Sequence, residues 1–380
     1  MIYLNNAATS YPKPEPVLEG IAARAADVVV EWTRVGSEER GDDPLTDCRK
    51  ALAGLFKVEN HCRIIFTSGA TESLNMAIFG LELNQDHVIS TVTEHNSVLR
   101  PLKLLESQGR ITLSLAPSDD SGFVHPVDIQ ALIRPETRVV IVNHCSNVTG
   151  ARQNLPAIGK ICRVAGCLFI VDAAQSAGSF DIDILRDGID MVAFTGHKNL
   201  GGIAGSGGLY IGERVRLEPL KVGGTGIKSD LLVQPPGFPI HYECGTPNHI
   251  GICAMRDGIE FIQKTGMQQI HDQVTTLIKR LYDGLKDLPN IQIYGCSAIE
   301  SGGHLFTLNI SGLDPADLGY ILLHSFGIMT RAGLHCAPLI HQALGSYPAG
   351  SVRISPSYFT TVTEIDQVVE AVTIIAKNYQ

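Results

Sequence analysis

The sequence predicts an α/β fold, with a mainly parallel sheet in an α/β/α sandwich and a smaller C-terminal α+β domain. Over the first two thirds, short β-rich runs alternate with amphipathic stretches, which is the pattern of a parallel sheet. Several of the runs are apolar throughout, as is typical of strands that are covered on both faces. In the last third, a long helical pattern leads into a mixture of strands and helices.

Seven strand candidates, taken in chain order, define the predicted large sheet. They lie at 63–67, 87–91, 111–116, 137–143, 167–172, 190–195 and 207–211. Helical patterns separate several of them, at 71–81, 96–107 and 155–164. We therefore expect a seven-stranded sheet whose crossover connections are helices.

The C-terminal third begins with a helical pattern from about 250 to 288. Strand candidates follow at 291–294, 305–310 and 351–354, and helix candidates at 315–325 and 363–377. Before this region, the Gly- and Pro-rich segment 221–245 shows no periodicity, and loops of that length are usually functional.

The length of 380 residues suits about two domains. We predict a large domain at 14–255 and a small one at 256–380, with residues 1–13 packing near the small domain.

Composition excludes several classes of protein. The net charge of −9, without a basic cluster, argues against a nucleic-acid partner. No apolar run is long enough to span a membrane, and residues 1–6 do not resemble a signal peptide. The nine cysteines are scattered and form no Cys-x-x-Cys pair, so we expect reduced thiols in the cytoplasm and no metal site.

Two strand ends carry an amine and a carboxylate. Lys198 follows the apolar run 190–194, and Asp172 ends the run 167–171. A lysine at the end of a buried strand is energetically costly unless it has a chemical role. A pyridoxal phosphate (PLP) enzyme needs this pair, because the lysine forms a Schiff base with the aldehyde and the acid keeps the pyridine nitrogen protonated.

Three other strand ends deliver groups that suit the same cofactor. The turn Gly69-Ala70-Thr71 opens a helix and offers backbone N–H groups to a phosphate, although a capping box from Ser68 is the simpler interpretation. His95 is placed to stack on a ring, or to cap the next helix. Asn147 is placed to bind a hydroxyl or carboxylate, or to stabilise a turn. Five suitable strand ends in succession favour the cofactor interpretation.

These segments resemble the signature blocks of class V aminotransferase-fold PLP enzymes, and most closely the cysteine desulfurase and selenocysteine lyase branch. The matching blocks are YLNNAAT (3–9), TSGATE (67–72), TEHN (93–96), VDAAQS (171–176), TGHK (195–198), ECGTPN (243–248) and RAGLHCA (331–337). Two positions depart from the usual pattern: Asn5 stands where aspartate is common, and Leu334 where histidine often occurs. The resemblance implies the PLP-dependent transferase fold of type I.

The resemblance also implies roles for individual residues. Lys198 would hold the aldehyde, Asp172 would pair with the ring nitrogen, and His95 would stack on the ring. The remaining cofactor contacts implied by the family are Gln175 at the phenolic oxygen and Gly69, Ala70, Thr71, Thr195 and His197 at the phosphate. Thr246 would reach the phosphate of the other subunit, which implies a homodimer with shared active sites.

The substrate side of the site is implied in the same way. Asn147 and Arg353 would bind the substrate carboxylate, for which a guanidinium fork is well suited, and Arg331 would lie beside them. Cys336 would be the nucleophile that takes sulfur from a PLP-bound cysteine. Arg331 and His335, as neighbours in sequence, would favour its thiolate. Transaminases and epimerases of this fold need no such thiol, so Cys336 decides the subclass.

We therefore predict a homodimeric cysteine desulfurase that converts L-cysteine to L-alanine, leaves a persulfide on Cys336 and passes sulfur to an acceptor protein. Alternatives that keep PLP are a selenocysteine lyase, a class V aminotransferase or another carbon–sulfur lyase. A non-catalytic PLP-binding sulfur carrier is an alternative of another class. A nicotinamide oxidoreductase is disfavoured because its glycine fingerprint is missing. The motifs leave open whether the sulfur serves iron–sulfur assembly, selenium metabolism or another pathway.

Overall fold

The structure is a computed structural model that describes residues 1–25 and 43–379. In these ranges the strands are β1 (Ile2–Tyr3), β2 (Ile64–Thr67), β3 (Asp86–Thr91), β4 (Ile111–Ala116), β5 (Thr137–Asn143), β6 (Leu168–Asp172), β7 (Met191–Thr195), β8 (Gly207–Ile211), β9 (Ile291–Tyr294), β10 (Phe306–Ile310), β11 (Ile328–Met329), β12 (Arg331–Gly333) and β13 (Ser351–Ile354). The helices are α1 (Glu15–Ala25), α2 (Pro44–Phe56), α3 (Ala70–Gly80), α4 (Asn96–Ser107), α5 (Pro126–Leu132), α6 (Leu155–Ala165), α7 (His249–Thr265), α8 (Met267–Leu285), α9 (Cys296–Glu300), α10 (Pro315–Phe326), α11 (Pro338–Ala343) and α12 (Val362–Asn378).

The large sheet has seven strands in the order β2-β8-β7-β6-β5-β3-β4. Strand β8 runs antiparallel to both of its neighbours, and the other adjacent pairs are parallel. This confirms the predicted α/β class and mainly parallel sheet. The six parallel strands share one carboxyl edge, and that edge positions the candidate site.

Strands β2, β6, β7 and β8 are buried along their whole length, whereas the edge strand β4 is partly exposed. Burial on both faces agrees with the prediction from the apolar runs. Along β6, Phe169 and Val171 join one core with helices α2, α6 and α7, whereas Leu168 and Ile170 join a second core with α3 and α4. Alternate side chains of a strand point to opposite faces, so one apolar run supplies both cores.

The C-terminal third has a core of its own around the antiparallel sheet β12-β13-β10-β9. The predicted helical region 250–288 is interrupted at Gly266, where φ is 94° and α7 gives way to α8. The N-terminal segment contributes Leu4 to this small core and pairs β1 with β11. The predicted limit between residues 255 and 256 falls inside α7, and the division into two domains stays a prediction.

No helix within residues 1–25 and 43–379 has both the length and the apolar character that crossing a membrane requires. Segment 221–245 forms neither helix nor strand, as its composition predicts.

Two helical glycines provide a test of the packing between α6 and its neighbouring turn. A Cβ atom on Gly159 would lie 1.8 Å from the carbonyl oxygen of Asp187, whereas a Cβ on Gly54 in α2 would meet nothing within 4 Å. We expect Gly159→Ala to lower the free energy of unfolding by about 1–3 kcal/mol through overpacking. Gly54→Ala should raise it by roughly 0.5–1 kcal/mol because alanine is the better helix former. Denaturant titration of both variants checks this, and equal effects would contradict it.

Candidate active site

The predicted cofactor residues, Thr246 apart, line one pocket at the carboxyl edge of the large sheet. Together they end or follow five different strands, β2, β3, β5, β6 and β7, so chain segments far apart in sequence meet there. The predicted residues lining the pocket are Gly69, Ala70, Thr71, His95, Asn147, Asp172, Gln175, Thr195, His197 and Lys198. The pocket thus lies where parallel α/β sheets bind their ligands.

Lys198 and Asp172 lie beside each other because β6 and β7 are adjacent parallel strands, with Asp172 in register with Ala193. Burial lowers the pKa of Lys198 to about 8, and the negative charge of Asp172 opposes that effect. Burial raises the pKa of Asp172, while the N–H of Ala174, 2.9 Å from Oδ1, and the charge of Lys198 lower it. The pair provides a readily deprotonated amine next to a buried acid.

The turn before α3 has the properties of an anion site. The N-cap residue of α3 is Gly69, with φ at 152°. Because glycine has no side chain, no side chain caps the first N–H groups of the helix, and they remain available to an anion. The carboxylate of Glu72 instead accepts hydrogen bonds from the N–H and the hydroxyl of Ser68, at 2.7 and 2.6 Å. The capping box proposed for Ser68 is therefore not formed. A Cβ on Gly207 would lie 2.6 Å from the Cα of Gly69, so this close approach requires glycine.

His95 combines the two interpretations that the sequence allowed. It is the N-cap residue of α4, where Nδ1 accepts a hydrogen bond from the N–H of Ser97 at 3.0 Å, and it also lines the pocket. Burial, followed by the charges of Lys198 and the nearby arginines, lowers its pKa to about 4. The ring is therefore neutral and held in a fixed orientation.

Two buried amide oxygens in the pocket have no hydrogen-bond partner within the described residues. They are Oδ1 of Asn147 and Oε1 of Gln175. The amide nitrogen of Gln175 donates to the carbonyl of Ala7 at 2.9 Å, so the segment at the N-terminus orients this side chain. Buried polar atoms are rarely left unpaired, and these two indicate a polar ligand.

Arg353, Arg331 and Cys336 come from the small sheet and the turn that follows it, and they are not among the residues lining this pocket. Arg353 is 1% exposed and donates from Nη1 to the carbonyl of Asn147 at 2.7 Å. Burial and the charge of Arg331 lower its pKa to about 9, and it forms no salt bridge within the described ranges. Two guanidinium groups so close together favour an anionic ligand.

The thiol of Cys336 lies 3.7 Å from Nη2 of Arg331. His335 does not carry the positive charge that was expected to favour the thiolate of Cys336. Burial, and then the charge of Arg353, holds its pKa well below the usual range, so the ring is neutral. Arg331 is therefore the cation next to the sulfur.

Thr246 lines a second pocket, together with Lys221 and Glu243. This pocket adjoins the first one and shares Ser68, Glu72 and Gly205 with it.

The comparisons with known proteins agree on the family. The family model described as Aminotransferase class-V matches residues 2–368. The chain belongs to the class-V aminotransferase family. A probable cysteine desulfurase of Methanothermobacter thermautotrophicus is 31% identical, over 99% of this chain and 94% of that protein. The cysteine desulfurase IscS of Tolumonas auensis is 34% identical, over 86% of this chain and 80% of its own length.

Among solved structures, the apo cysteine desulfurase of Thermococcus onnurineus NA1 superposes with a TM-score of 0.90. It is 30% identical, and the match covers 99% of this chain and 95% of that one. The family and the fold predicted from the signature blocks are both confirmed.

Sequence reasoning missed one buried acidic residue, Glu94, which does not line the pocket but interacts with the charge of Asp172. Glu94 is 0% exposed, and its Oε1 accepts hydrogen bonds from the hydroxyl of Thr91 and the N–H of Asn143, at 2.7 and 3.0 Å. Its Oε2 has no partner in the described parts of the chain. Burial, reinforced by the negative charge of Asp172, raises its pKa to about 8, although both hydrogen bonds oppose this. The sequence signal that could have identified Glu94 is its position inside the TEHN block (93–96).

Glu94→Gln tests this protonation state. The folded protein binds a proton at Glu94 up to about pH 8, whereas the unfolded chain releases it near the ordinary glutamate pKa of 4.5, so native stability falls as pH rises between these values. The glutamine cannot titrate. We therefore expect the unfolding free energy of the variant, relative to that of the native protein, to increase by up to about 1.4 kcal/mol per pH unit in that window. Denaturant titrations at several pH values measure it, and a pH-independent difference would refute the raised pKa.

Proposed function

We propose that this chain is a PLP-dependent cysteine desulfurase, which converts L-cysteine to L-alanine and carries the sulfur as a persulfide on Cys336. The observation that carries the proposal is the position of the Cys336 thiol, which lies 3.7 Å from Nη2 of Arg331 and near enough to Lys198 to interact with its charge. The names of the similar proteins support the same reaction.

The residues present fit the cofactor. The uncapped first turn of α3, with Thr71, Thr195 and His197, would hold the phosphate, and neutral His95 would cover one face of the ring. Asp172 would pair with the ring nitrogen. Gln175 would meet the phenolic oxygen, and the unpaired amide oxygen there supports a polar contact. When bound, PLP supplies an electron sink for the charge left on the substrate α-carbon.

Lys198 has two tasks in this proposal. Its amine would anchor the cofactor, and after substrate binding the free amine would remove the α-proton. A pKa of about 8 suits both, because lowering it from 10.5 greatly increases the unprotonated fraction of the amine near neutral pH. The same amine would later return a proton on the way to alanine.

Cys336 would attack the sulfur atom of the bound substrate. The new S–S bond forms as the C–S bond of the substrate breaks, and the electron pair of the C–S bond stays with the substrate carbon, which is then protonated. Arg331 would stabilise the thiolate before the attack. The persulfide must then be transferred to a thiol, so we propose a sulfur-acceptor protein as partner.

We also propose a homodimer in which Thr246 reaches the phosphate bound by the second subunit. The position of Thr246, outside the pocket of its own chain but in the cavity next to it, supports this arrangement. A cytoplasmic location is proposed from the scattered cysteines, which are all free thiols.

Cys336→Ala tests the nucleophile. We expect loss of sulfide and alanine production from L-cysteine by at least about a hundredfold, because no other group replaces the thiolate. The yellow colour of the bound cofactor, and its bleaching by borohydride at Lys198, should remain. Cys296→Ala, which removes a half-buried thiol from α9, is the matched control and should behave as the native protein. Unchanged desulfuration by Cys336→Ala would defeat the proposal.

Arg353→Lys tests the carboxylate site. The change keeps the charge but removes the planar fork that binds a carboxylate in a bidentate manner. We expect KM for L-cysteine to rise roughly tenfold or more, corresponding to about 1.4 kcal/mol, with a smaller change in kcat. Steady-state kinetics measure this. Arg138→Lys, at an exposed position of β5, is the control, and equal KM values for the two variants would exclude Arg353 from substrate binding.

A further inference from the structure

The turn that carries Cys336 has an unusual backbone. His335 and Cys336 have φ angles of 51° and 59°, so two consecutive residues with side chains adopt the left-handed conformation. Only glycine adopts it without cost, and such residues persist when the surroundings fix them. Pro338 begins α11 directly afterwards, and the N–H of Ala337 donates to the carbonyl of Leu334 at 2.9 Å. The thiol is therefore carried by a short and strained turn.

Both carbonyl groups of the two strained residues accept a hydrogen bond from the large-sheet side of the pocket. The N–H of Asn96 donates to the carbonyl of Cys336 at 2.7 Å. The side-chain amide of Asn147 donates to the carbonyl of His335, also at 2.7 Å. These contacts join segments that are far apart in sequence, and each bond acts on a residue with positive φ.

Asn147 lines the pocket, and Asn96 lies between His95 and Ser97, which both line it. Asn96 is the first residue of α4 and follows His95, whose side chain caps that helix. The first N–H groups of a helix have no partner within the helix, so the N–H of Asn96 is free to bind outside it. Asn147 lines the pocket, and its carbonyl accepts the hydrogen bond from Arg353.

We propose that the N–H of Asn96 and the side-chain amide of Asn147 are positioning groups that hold the strained turn and aim the Cys336 thiol at the substrate sulfur. This inference rests on the proposed function. Because Asn96 is bonded to His95, the nucleophile is fixed relative to the residue that covers the cofactor ring. The thiol then stays beside Arg331 and within the site through the attack.

Asn96→Pro removes the first of these hydrogen bonds with little other change. Proline has no N–H and is favoured as the first residue of a helix. The preceding residue, His95, has φ −70° and ψ 155°, which is the conformation that a following proline requires. Asn96→Ala keeps the N–H and is the matched control.

Two reactions of the holoenzyme separate positioning from general damage. Exchange of the α-proton of L-alanine in D₂O requires the cofactor and Lys198 but no sulfur chemistry, whereas desulfuration of L-cysteine requires Cys336 as well. At saturating substrate, we expect Asn96→Pro to lower kcat for desulfuration roughly ten- to a hundredfold, as a displaced nucleophile should. The rate of alanine exchange should stay within about twofold of the native rate, because the positions of the cofactor and Lys198 do not change. The visible spectrum should be unchanged for the same reason. Asn96→Ala should retain both reactions.

Equal desulfuration by the proline and alanine variants would overturn the proposal, and so would a parallel loss of both reactions, which indicates damage to α4 and His95. Asn147→Ala is a second variant in case the proline variant folds poorly. Its effect on carboxylate binding changes KM for both substrates, so a lower ratio of desulfuration to exchange at saturation supports the positioning role, and an unchanged ratio opposes it. Cys336→Ala is measured alongside to separate failure of this inference from failure of the proposed function. If the proposed function is wrong, Cys336→Ala still desulfurates L-cysteine; if only this inference is wrong, Cys336→Ala is inactive.

Discussion

The rest of the site depends on the burial of a lysine and an aspartate at the ends of two adjacent parallel strands. Asp172 ends β6 and Lys198 follows β7, and the register of these strands fixes the separation of the two groups. Burial raises the pKa of Asp172 and lowers that of Lys198, which favours the neutral form of each group. The opposite charges of the two groups act against this and favour the ionised forms. Apolar cores lie on both faces of these strands, and at the strand ends Asp172 is buried and Lys198 is half-buried, so the fold itself sets the acid–base properties of the site.

The N-terminal segment connects this pair to the rest of the molecule. Four donors from residues 9–13 lie within hydrogen-bond distance of one acceptor, the carbonyl of His197, which precedes Lys198: the hydroxyl of Thr9, the N–H and hydroxyl of Ser10, and the amine of Lys13. Leu4 lies in the core of the small sheet. A short segment therefore spans from the small sheet to the turn that carries the lysine, and the position of Lys198 is coupled to the part of the protein that supplies Arg353 and Cys336.

The strands of the large sheet were predictable because they are short β-rich runs, several of them apolar throughout, and the ends of such runs identify one edge of a parallel sheet. The residues at those ends were found for the same reason. The break between α7 and α8 was missed because a single glycine in a long amphipathic pattern is a weak signal, and its φ of 94° is visible only in the structure. Glu94 was missed because its neighbours in sequence do not reveal that Asp172, distant in the chain, lies close to it.

Contacts made by the backbone are the part of the site that no residue pattern could indicate. The bond from the N–H of Asn96 to the carbonyl of Cys336 depends on where two distant segments meet, and it is independent of both side chains. Such contacts also distinguish the residues that any reaction at the α-carbon needs from those that desulfuration needs in addition. Lys198 and Asp172 suit any PLP reaction at an α-carbon, whereas desulfuration needs a thiol held at the right place. Because the turn that carries Cys336 is strained, its position depends on its partners, and the choice of reaction therefore depends on contacts between the small sheet and α4 as well as on the cysteine itself.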